Sequence, residues 1–314
     1  MQQIAIVFEG HDQNLGEGFP FSSAEYFPSY QRFIATGASQ GLEIRITYHT
    51  LYQGKSTFKG SFILTPEGKV WDPNPFTPKL IHCKTAHMFR LLDGSETTIN
   101  RKEIFTLASS KRLTYERFNE HMLKTLVLQP ENWEQQLNEI PGDWIVCKPE
   151  TGHGGFGIYV GSKADFKLPE DTATETYLLQ EFLDTSAGIP GVTKGVHDLR
   201  IILSGYEPLS YARIPKPGSL LANLHQGGEA RALQTSEIPE TALTIARKLE
   251  KELSPDFPHF YCADFLFSPE GKPFLCEFNS QPGFAYDGGE GPEFVAKYHQ
   301  TLLNVFKDAL ALIP

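Results

Sequence analysis

The feature that most restricts the fold is a pair of apolar segments joined by a turn, in the stretch ADFLFSPEGKPFLCEFNSQPGF at residues 263–284. The SPEGK sequence between them combines Pro and Gly, which are typical of tight turns. The flanking segments are therefore predicted to be neighbouring strands. Polar side chains interrupt them at Asp264 on the first strand and at Glu277 and Asn279 on the second. Glu277 and Asn279 leave the same face of their strand, because successive side chains alternate between faces.

Carboxylates on otherwise buried strands are costly unless they are paired with a cation. Oxygen ligands without His or Cys favour Mg²⁺, which proteins usually hold together with nucleotide phosphates. We therefore interpret Asp264, Glu277 and Asn279 as candidate metal ligands. A buried salt bridge to a lysine or an arginine is the alternative interpretation of the same pattern.

A glycine-rich stretch, CKPETGHGGFGIYV, begins at Cys147, where an apolar strand leads into Lys148. Dense glycines let backbone amides approach phosphate oxygens, because no Cβ blocks the approach and positive φ is free. The stretch lacks the Gly-Lys-Ser/Thr of a Walker loop, and its glycines precede a strand, unlike those of a Rossmann fingerprint. Taken alone it is more often a structural turn, but Lys148 favours a phosphate-binding loop that includes Gly154, Gly155 and Gly157.

The segment LLQEFLDTS at residues 178–186 is an apolar strand that presents polar side chains near its end. An adenine pocket needs a hydrogen-bonding edge and apolar walls, and a ribose needs a carboxylate. Gln180, Glu181, Phe182 and Asp184 are therefore candidates for nucleotide binding. An ordinary half-exposed strand would show the same pattern.

Two arginines stand on successive strands, Arg200 in HDLRIILSG and Arg213 in YARIPKPGS, and Asn223 follows in NLHQGGEAR. Arginine offers a fixed fork of donors to phosphate or carboxylate oxygens and stays charged. Two arginines can hold a substrate carboxylate and stabilise charge in a transition state. A surface ion pair is the common alternative for a single strand arginine.

The N-terminal part opens as a βαβ unit, with strands predicted at residues 4–8 and 42–48 and a helical stretch at 30–38. The proline-rich residues 71–79 are predicted to form a loop or an edge segment. The remaining elements predicted by periodicity are a helical region at 104–126, strands at 144–148, 157–161, 177–182, 199–203 and 261–267, and helices at 240–253 and 293–312. This alternation predicts an α/β fold with α+β elements.

With 314 residues and 40% hydrophobic content, the chain is long enough for two or three coupled domains. Its formal net charge of −10 argues against nonspecific binding to nucleic acid or to an acidic membrane. No basic leader or run of about 20 apolar residues is present. Together with four scattered cysteines, this predicts a cytoplasmic protein with reduced thiols.

The ordered set of these motifs resembles the ATP-grasp superfamily over about two thirds of the chain. It comprises Lys111, Lys148 with its glycine loop, Gln180-Glu181-Phe182, Arg200, Arg213, Asn223, Asp264, Glu277 and Asn279. The segment ARIPKPGSLLANLHQGG at residues 212–228 is similar to bacterial glutathione synthetase, and EFNSQPG at 277–283 is similar to ribosomal-protein glutamate ligases.

The resemblance implies an ATP-grasp architecture with an N-terminal βαβ domain at residues 1–108, a small central lid at 109–186 and a C-terminal ATP-clasping domain at 187–314. It implies that ATP is bound with two magnesium ions, for which Mn²⁺ can substitute. Lys111 and Lys148 would then hold the phosphates, the glycine loop would close over them, residues 180–182 would face adenine, and Asp184 would reach the ribose. Arg213, Asn223 and Arg200 would support an acyl phosphate and its tetrahedral intermediate.

The leading hypothesis is therefore an ADP-forming ligase that joins the carboxylate of an amino acid or short peptide to an amine. A ligase that modifies or cyclises a larger peptide and a nucleotide-binding regulatory module without turnover are the alternatives. The partners expected are small molecules, not nucleic acid or membrane, and the resemblance allows a homo-oligomer. The first hundred or so residues match no pattern of the family, so the sequence does not identify the substrates.

Overall fold

The computed structural model describes residues 1–10, 25–152, 154–222 and 227–313. Within these ranges the α-helices are α1 (Tyr26–Ser39), α2 (Ala86–Phe89), α3 (Lys102–Ser109), α4 (Lys111–Phe118), α5 (Trp133–Glu139), α6 (Glu240–Leu253) and α7 (Pro292–Ala311). No described helix is both long enough and apolar enough to cross a membrane.

The strands of the N-terminal part are β1 (Gln2–Phe8), β2 (Leu42–Tyr48), β3 (Tyr52–Gly54), β4 (Thr57–Phe58), β5 (Ser61–Thr65), β6 (Gly68–Asp72), β7 (Leu80–Cys83) and β8 (Thr98–Ile99). The later strands are β9 (Thr125–Val127), β10 (Trp144–Pro149), β11 (Tyr159–Ser162), β12 (Tyr177–Glu181), β13 (Asp198–Leu203), β14 (Leu209–Ile214), β15 (Glu229–Leu233), β16 (Tyr261–Phe267) and β17 (Pro273–Asn279).

The first sheet has the strand order β6-β5-β2-β1-β7-β8. Its central strand β1 is parallel to β2 on one side and to β7 on the other. Parallel strands need crossover connections, and α1 supplies the one between β1 and β2. The carboxyl ends of these three strands therefore meet at one edge of the sheet, with β1 at the point where the strand order reverses.

The second sheet is small and antiparallel, with the order β11-β10-β12-β9. Its core is formed by apolar side chains of the strands and of α5, including Ile145, Leu179 and Leu137. β10 and β12 are direct neighbours, with Lys148 paired opposite Leu178 and Val146 opposite Gln180. The strands predicted at 144–148, 157–161 and 177–182 are thus confirmed, although β11 begins at Tyr159 instead of residue 157.

The third sheet has the order β15-β14-β13-β16-β17 and is antiparallel throughout. One face packs against α6 through residues such as Leu199, Ala263 and Leu249. The opposite face packs against α7 and the first sheet in one continuous cluster, which contains Ile202 and Cys262. The predicted α/β class and the hairpin around SPEGK are therefore confirmed.

The helical region predicted at residues 104–126 is confirmed in part: it contains two helices instead of one, and its end, from Thr125, belongs to strand β9. Two helices, α3 and α4, meet at Ser110, which has an extended backbone with φ −122° and ψ 114°. The Ser110 side chain accepts a hydrogen bond from Leu113 N and so caps the start of α4. A helical pattern alone does not reveal this break, because apolar spacing continues across it.

Candidate active site

Charged residues form a continuous row on one face of the third sheet. Arg200 on β13 is directly opposite Asp264 on β16, which is directly opposite Glu277 on β17. Asp198 on β13 is opposite Arg213 on β14. Directly opposed residues of an antiparallel pair project to the same face. The row therefore lies on the sheet face that packs against α7, next to the apolar side chains of that face.

The row is held by short ion pairs. Arg200 donates from Nε and Nη2 to the two carboxylate oxygens of Asp264, at 2.7 and 2.6 Å. Arg213 donates to both oxygens of Asp198, at 2.8 and 2.6 Å, and to Asp264 Oδ2 at 2.7 Å. Asp264 is fully buried, with 0% of its surface exposed. These bidentate contacts fix both guanidinium planes.

The two aspartates of this network titrate differently. Burial acts to raise the pKa of Asp264, but Arg200 and Arg213 outweigh it and hold that pKa below its ordinary value. Burial raises the pKa of Asp198 to about 6, because Arg213 offsets it only partly and Asp264 adds a like charge. When two carboxylates share one arginine, the more strongly paired carboxylate keeps its charge.

The predicted metal ligands occupy different environments. Both oxygens of Asp264 are engaged by arginines, which is the salt-bridge alternative that the sequence left open. Glu277 is partly exposed, and its Oε1 lies 3.9 Å from Lys111 Nζ. Asn279 is paired opposite Cys262, so it lies on the same sheet face two residues further along β17. Among the described residues, no three His, Cys, Asp or Glu side chains are grouped as a metal cage.

The two predicted phosphate-binding lysines lie on the second sheet and at the start of α4. Lys148 is buried and donates from Nζ to Gln180 Oε1 at 2.9 Å, while Gln180 donates to Thr125 Oγ1 at 2.8 Å. Lys111 Nζ donates to Gly152 O at 3.0 Å. Burial lowers the pKa of Lys111, and Glu277 opposes the shift. Through Lys111 the glycine-rich loop is connected to the third sheet.

The glycine-rich loop connects β10 to β11. The backbone φ angles of Gly154, Gly155 and Gly157 are +78°, +77° and +71°. Residues other than glycine rarely adopt such positive φ angles. Phe156 between them is 80% exposed. The loop therefore has a left-handed backbone conformation that depends on its glycines, and it exposes one aromatic side chain.

The remaining predicted nucleotide residues follow Gln180. Glu181 ends β12, with its N–H bonded to Lys124 O at 2.9 Å, and the Phe182 ring lies 5.4 Å from that of Trp144. Asp184 accepts from Ser186 N at 2.9 Å, and this hydrogen bond lowers the pKa of Asp184. Asn223 lies outside the described residues.

Sequence reasoning missed several charged or polar residues near the row. Asp198 stands two residues before Arg200, so strand alternation alone would have placed it on the same face. Lys84 follows β7 and Glu290 lies between β17 and α7, and both interact electrostatically with Arg200. No local pattern marks these two, because they approach the row through the tertiary fold.

The arrangement of the three sheets is similar to that of several solved structures. The chain aligns over 99% of its length with D-alanyl-alanine synthetase A from Vibrio cholerae, covering 98% of that chain at a TM-score of 0.63 and 13% identity. A peptide-associated ATP-grasp ligase from Chryseobacterium gregarium, solved with ADP and leader and core peptides, aligns at a TM-score of 0.59 and 13% identity over 98% of this chain and 97% of that chain. These likenesses show the ATP-grasp fold.

Within that class, residues 111–264 match the family model of the ATP-grasp domain of prokaryotic glutathione synthetase. Glutathione synthetase of Shewanella oneidensis is 32% identical over 184 residues, 58% of this chain and 56% of that protein. The enzyme of Ralstonia nicotianae is 30% identical over 130 residues, 41% and 39% of the two chains. The matches thus span about half the length of the curated relatives or less. The chain thus has the ATP-grasp fold, and its residues 111–264 resemble the ATP-grasp domain of prokaryotic glutathione synthetase, as the sequence predicts.

Proposed function

We propose that this protein is an ATP-dependent, ADP-forming ligase that joins the carboxylate of an amino acid or short peptide to an amine. The observation that supports this most directly is the 3.9 Å approach of Lys111 to Glu277. It brings the glycine-rich loop and the arginine–carboxylate row of the third sheet into one site. Such a site combines phosphate-binding groups with groups that stabilise charge on a reacting carboxylate.

The nucleotide would lie between the second and third sheets. Lys111 and Lys148 would neutralise its phosphates, and the glycine loop from Gly154 to Gly157 would cover them. Residues 180–182 would face adenine and Asp184 the ribose. The hydrogen bond between Lys148 and Gln180 supports this placement, because it puts the buried ammonium beside the strand proposed for adenine.

The reaction proposed has two steps. A carboxylate oxygen of the first substrate attacks the γ-phosphorus, the bond from that phosphorus to the β-phosphate oxygen breaks, and ADP leaves. The amine then attacks the carbonyl carbon of the acyl phosphate, phosphate leaves, and the amine loses a proton. Arg200 and Arg213 would stabilise the negative charge that develops in both steps, with Asn223 assisting.

The donor set fits magnesium shared with nucleotide phosphates. Mg²⁺ needs few protein carboxylates when phosphates and water complete its shell. Glu277 is partly exposed and Asn279 follows on the same face, so both are proposed ligands. Asp264 is proposed as the third ligand, for which one of its two arginine partners must release an oxygen. Bound magnesium would neutralise phosphate charge during the transfer.

The division at residues 1–108, 109–186 and 187–314 is retained as a proposal for the three functional parts. The first would shape the substrate pocket, the second would cover the nucleotide, and the third would carry the reaction. Four unpaired cysteines are in keeping with a reducing, cytoplasmic location.

A second candidate is the modification or cyclisation of a larger peptide. Macrocyclase MdnC of Microcystis aeruginosa, solved with its precursor peptide, has a TM-score of 0.60 and 14% identity over 97% of this chain and 100% of that chain. Its likeness establishes shared architecture, so the product decides between the candidates. Mass spectrometry of the product would show either a joined pair of small substrates or a peptide that has lost water.

The test is an ADP-release screen over pairs of amino acids and dipeptides, with Glu277→Gln beside the wild type. The variant is expected to fold normally and to lose magnesium-dependent ADP formation, because a carboxylate that binds the metal becomes a neutral amide. Glu270→Gln, on the exposed turn of the same hairpin, is the matched control and should keep full activity. Normal turnover in Glu277→Gln would remove Glu277 from the metal site.

A further inference from the structure

The two arginines of the charged row are held by different numbers of carboxylates. Arg200 pairs with one carboxylate of the described residues, Asp264, through Nε at 2.7 Å and Nη2 at 2.6 Å. Arg213 pairs with two. Its Nε and Nη2 donate to both oxygens of Asp198, at 2.8 and 2.6 Å, and Nη2 also donates to Asp264 Oδ2 at 2.7 Å. Arg213 therefore keeps a carboxylate partner if its bond to Asp264 breaks, and Arg200 does not.

The oxygen that the two arginines share is Asp264 Oδ2. It accepts from Nη2 of Arg200 and from Nη2 of Arg213, and a carboxylate oxygen has about two acceptor positions. The whole Asp264 side chain is fully buried, so a cation can reach Oδ2 only when one of the arginines moves away. The movement also removes one positive charge from the neighbourhood of the cation, which lowers their repulsion.

Asp198 decides which of the two arginines can move at the lower cost. If Arg200 left Asp264, a buried guanidinium would lose its carboxylate, and an uncompensated buried charge is strongly unfavourable. If Arg213 left Asp264, it would lose one bond and keep the two bonds to Asp198. Asp198 on β13 is directly opposite Arg213 on β14 and is itself buried. The strand pairing therefore keeps this ion pair in place while the third bond breaks.

We propose that Asp198 is a positioning residue for the metal site, which holds Arg213 while this arginine releases Asp264 Oδ2 to magnesium. This inference rests on the proposed function. Arg213 is then the arginine that moves, and Arg200 stays on Asp264. Once released, Nη2 of Arg213 is a charged donor for the oxygens of the phosphoryl group that is transferred. One movement thus exposes a metal ligand and provides a group that stabilises charge in the reaction.

The test uses the full chain and a nonhydrolysable ATP analogue, whose binding is measured by calorimetry in saturating Mg²⁺ and in EDTA. The ratio of the two affinities is the magnesium effect. The measurement is made at pH 8, where Asp198 is charged, because burial raises its pKa only to about 6. Asp198→Asn should reduce the magnesium effect by about 10- to 100-fold, the range for one charge-assisted hydrogen bond, because Arg213 then depends on Asp264 for its counter-charge.

Binding in EDTA distinguishes a positioning role from a structural one. The affinity of Asp198→Asn in EDTA should equal that of the wild type, because no metal has to reach Asp264. Asp198→Glu restores the carboxylate and should recover most of the magnesium effect. If Asp198→Asn weakens binding equally in EDTA and in Mg²⁺, Asp198 has a structural role and the proposal is overturned.

Two control variants remove a carboxylate charge elsewhere. Asp72→Asn breaks an aspartate–arginine pair on the first sheet, where Asp72 lies 2.8 Å from Arg45. Glu290→Gln removes a charge that interacts with Arg200 but is not paired with Arg213 within the described chain. Both variants should keep the magnesium effect of the wild type. An equal loss in Glu290→Gln and Asp198→Asn would mean that net charge alone sets the metal affinity, which would contradict the proposal.

A crystal structure with Mg²⁺ and the ATP analogue tests the movement directly. Asp264 Oδ2 should then bind the metal, with Arg213 bonded to Asp198 and Arg200 still bonded to Asp264. The proposal is wrong if Asp198 itself binds the metal, or if Arg200 is the arginine that has left.

The outcome separates this proposal from the proposed ligase activity. ADP release by the wild type, with an equal magnesium effect in the wild type and in Asp198→Asn, would eliminate the positioning role and leave the ligase function standing. A reduced magnesium effect in Asp198→Asn, without ADP release for any substrate pair, would support the positioning role and refute the ligase function. If Mg²⁺ does not tighten binding of the analogue to the wild type, the positioning role is wrong.

Discussion

Asn100 connects the N-terminal part to the third sheet through its side chain, and its removal gives a sharp test of the fold. Its Nδ2 donates to Phe260 O at 2.7 Å and to Ser280 O at 2.6 Å, while Phe260 N donates to its Oδ1 at 2.6 Å. The residue is 3% exposed. Asn100→Ala therefore leaves three backbone groups without their side-chain partner in a site with little access to water.

The magnitude follows from these three contacts. A typical buried hydrogen bond contributes about 1 kcal/mol net, and a partner left unsatisfied costs about 1–3 kcal/mol. Three contacts thus predict a loss of roughly 3 kcal/mol or more in the free energy of unfolding. At roughly 2 °C per kcal/mol for a large domain, the melting temperature should fall by about 6 °C.

The measurement is urea unfolding followed by tryptophan fluorescence, with the slope m compared between variants to confirm that the same surface is exposed. Asn119→Ala is the matched control, because Asn119 is exposed and makes one long contact, 3.5 Å to Glu116 O. It should lose at most a few tenths of a kcal/mol. A loss below about 1 kcal/mol in Asn100→Ala, at unchanged m, would refute the reasoning.

Three further predictions concern the lid and the core. Lys148→Met should weaken binding of an ATP analogue by about 10- to 100-fold in calorimetry, since a buried charged hydrogen bond contributes about 1.5–3 kcal/mol; unchanged affinity would exclude Lys148 from the phosphate site. Chymotrypsin should cut after the exposed Phe156, and ATP analogue with Mg²⁺ should slow that cut; equal rates would argue against closure of the loop. Burial and the nearby charge of Lys84 lower the pKa of His82 to about 3, so His82 is neutral in the folded protein. As the pH falls below about 6.5, the unfolded chain binds a proton at His82 that the folded protein does not, and the folded state loses stability. Between pH 7 and 5 the free energy of unfolding should fall by about 2 kcal/mol through His82 alone. His82→Gln should lose about 2 kcal/mol less than the wild type over this range, and an equal loss in both proteins would contradict the prediction.

Sequence patterns predicted all strands of the third sheet except β15, because the other four carry strong local signals. The segment at 261–267 is apolar and rich in aromatic residues, and the SPEGK turn fixes its partner strand, so β16 was predicted with its observed bounds. The helix at 240–253 was likewise predicted as observed, because its apolar spacing is helical from end to end. Its buried face has Leu243, Ala246 and Leu249 at intervals of three.

The rest of the site depends on contacts distant in sequence. Asp264 is a proposed metal ligand, but its two arginine partners could not be predicted, because Arg200 and Arg213 reach it from neighbouring strands. Lys84 contacts the carbonyl of Pro282, which is 198 residues later in the sequence. Contacts of this kind depend on the order of the strands in the sheet, which the periodicity of a single segment does not predict.

The single apolar cluster shared by the first and third sheets limits how such a protein can change its specificity. Ile4 and Phe33 of the N-terminal part pack in the same cluster as Tyr298 and Leu302 of α7. Exchange of residues 1–108 for those of a relative would place a foreign surface against α7 and leave voids or clashes there. New substrates are therefore more accessible to this chain through point substitutions in loops than through recombination of whole segments.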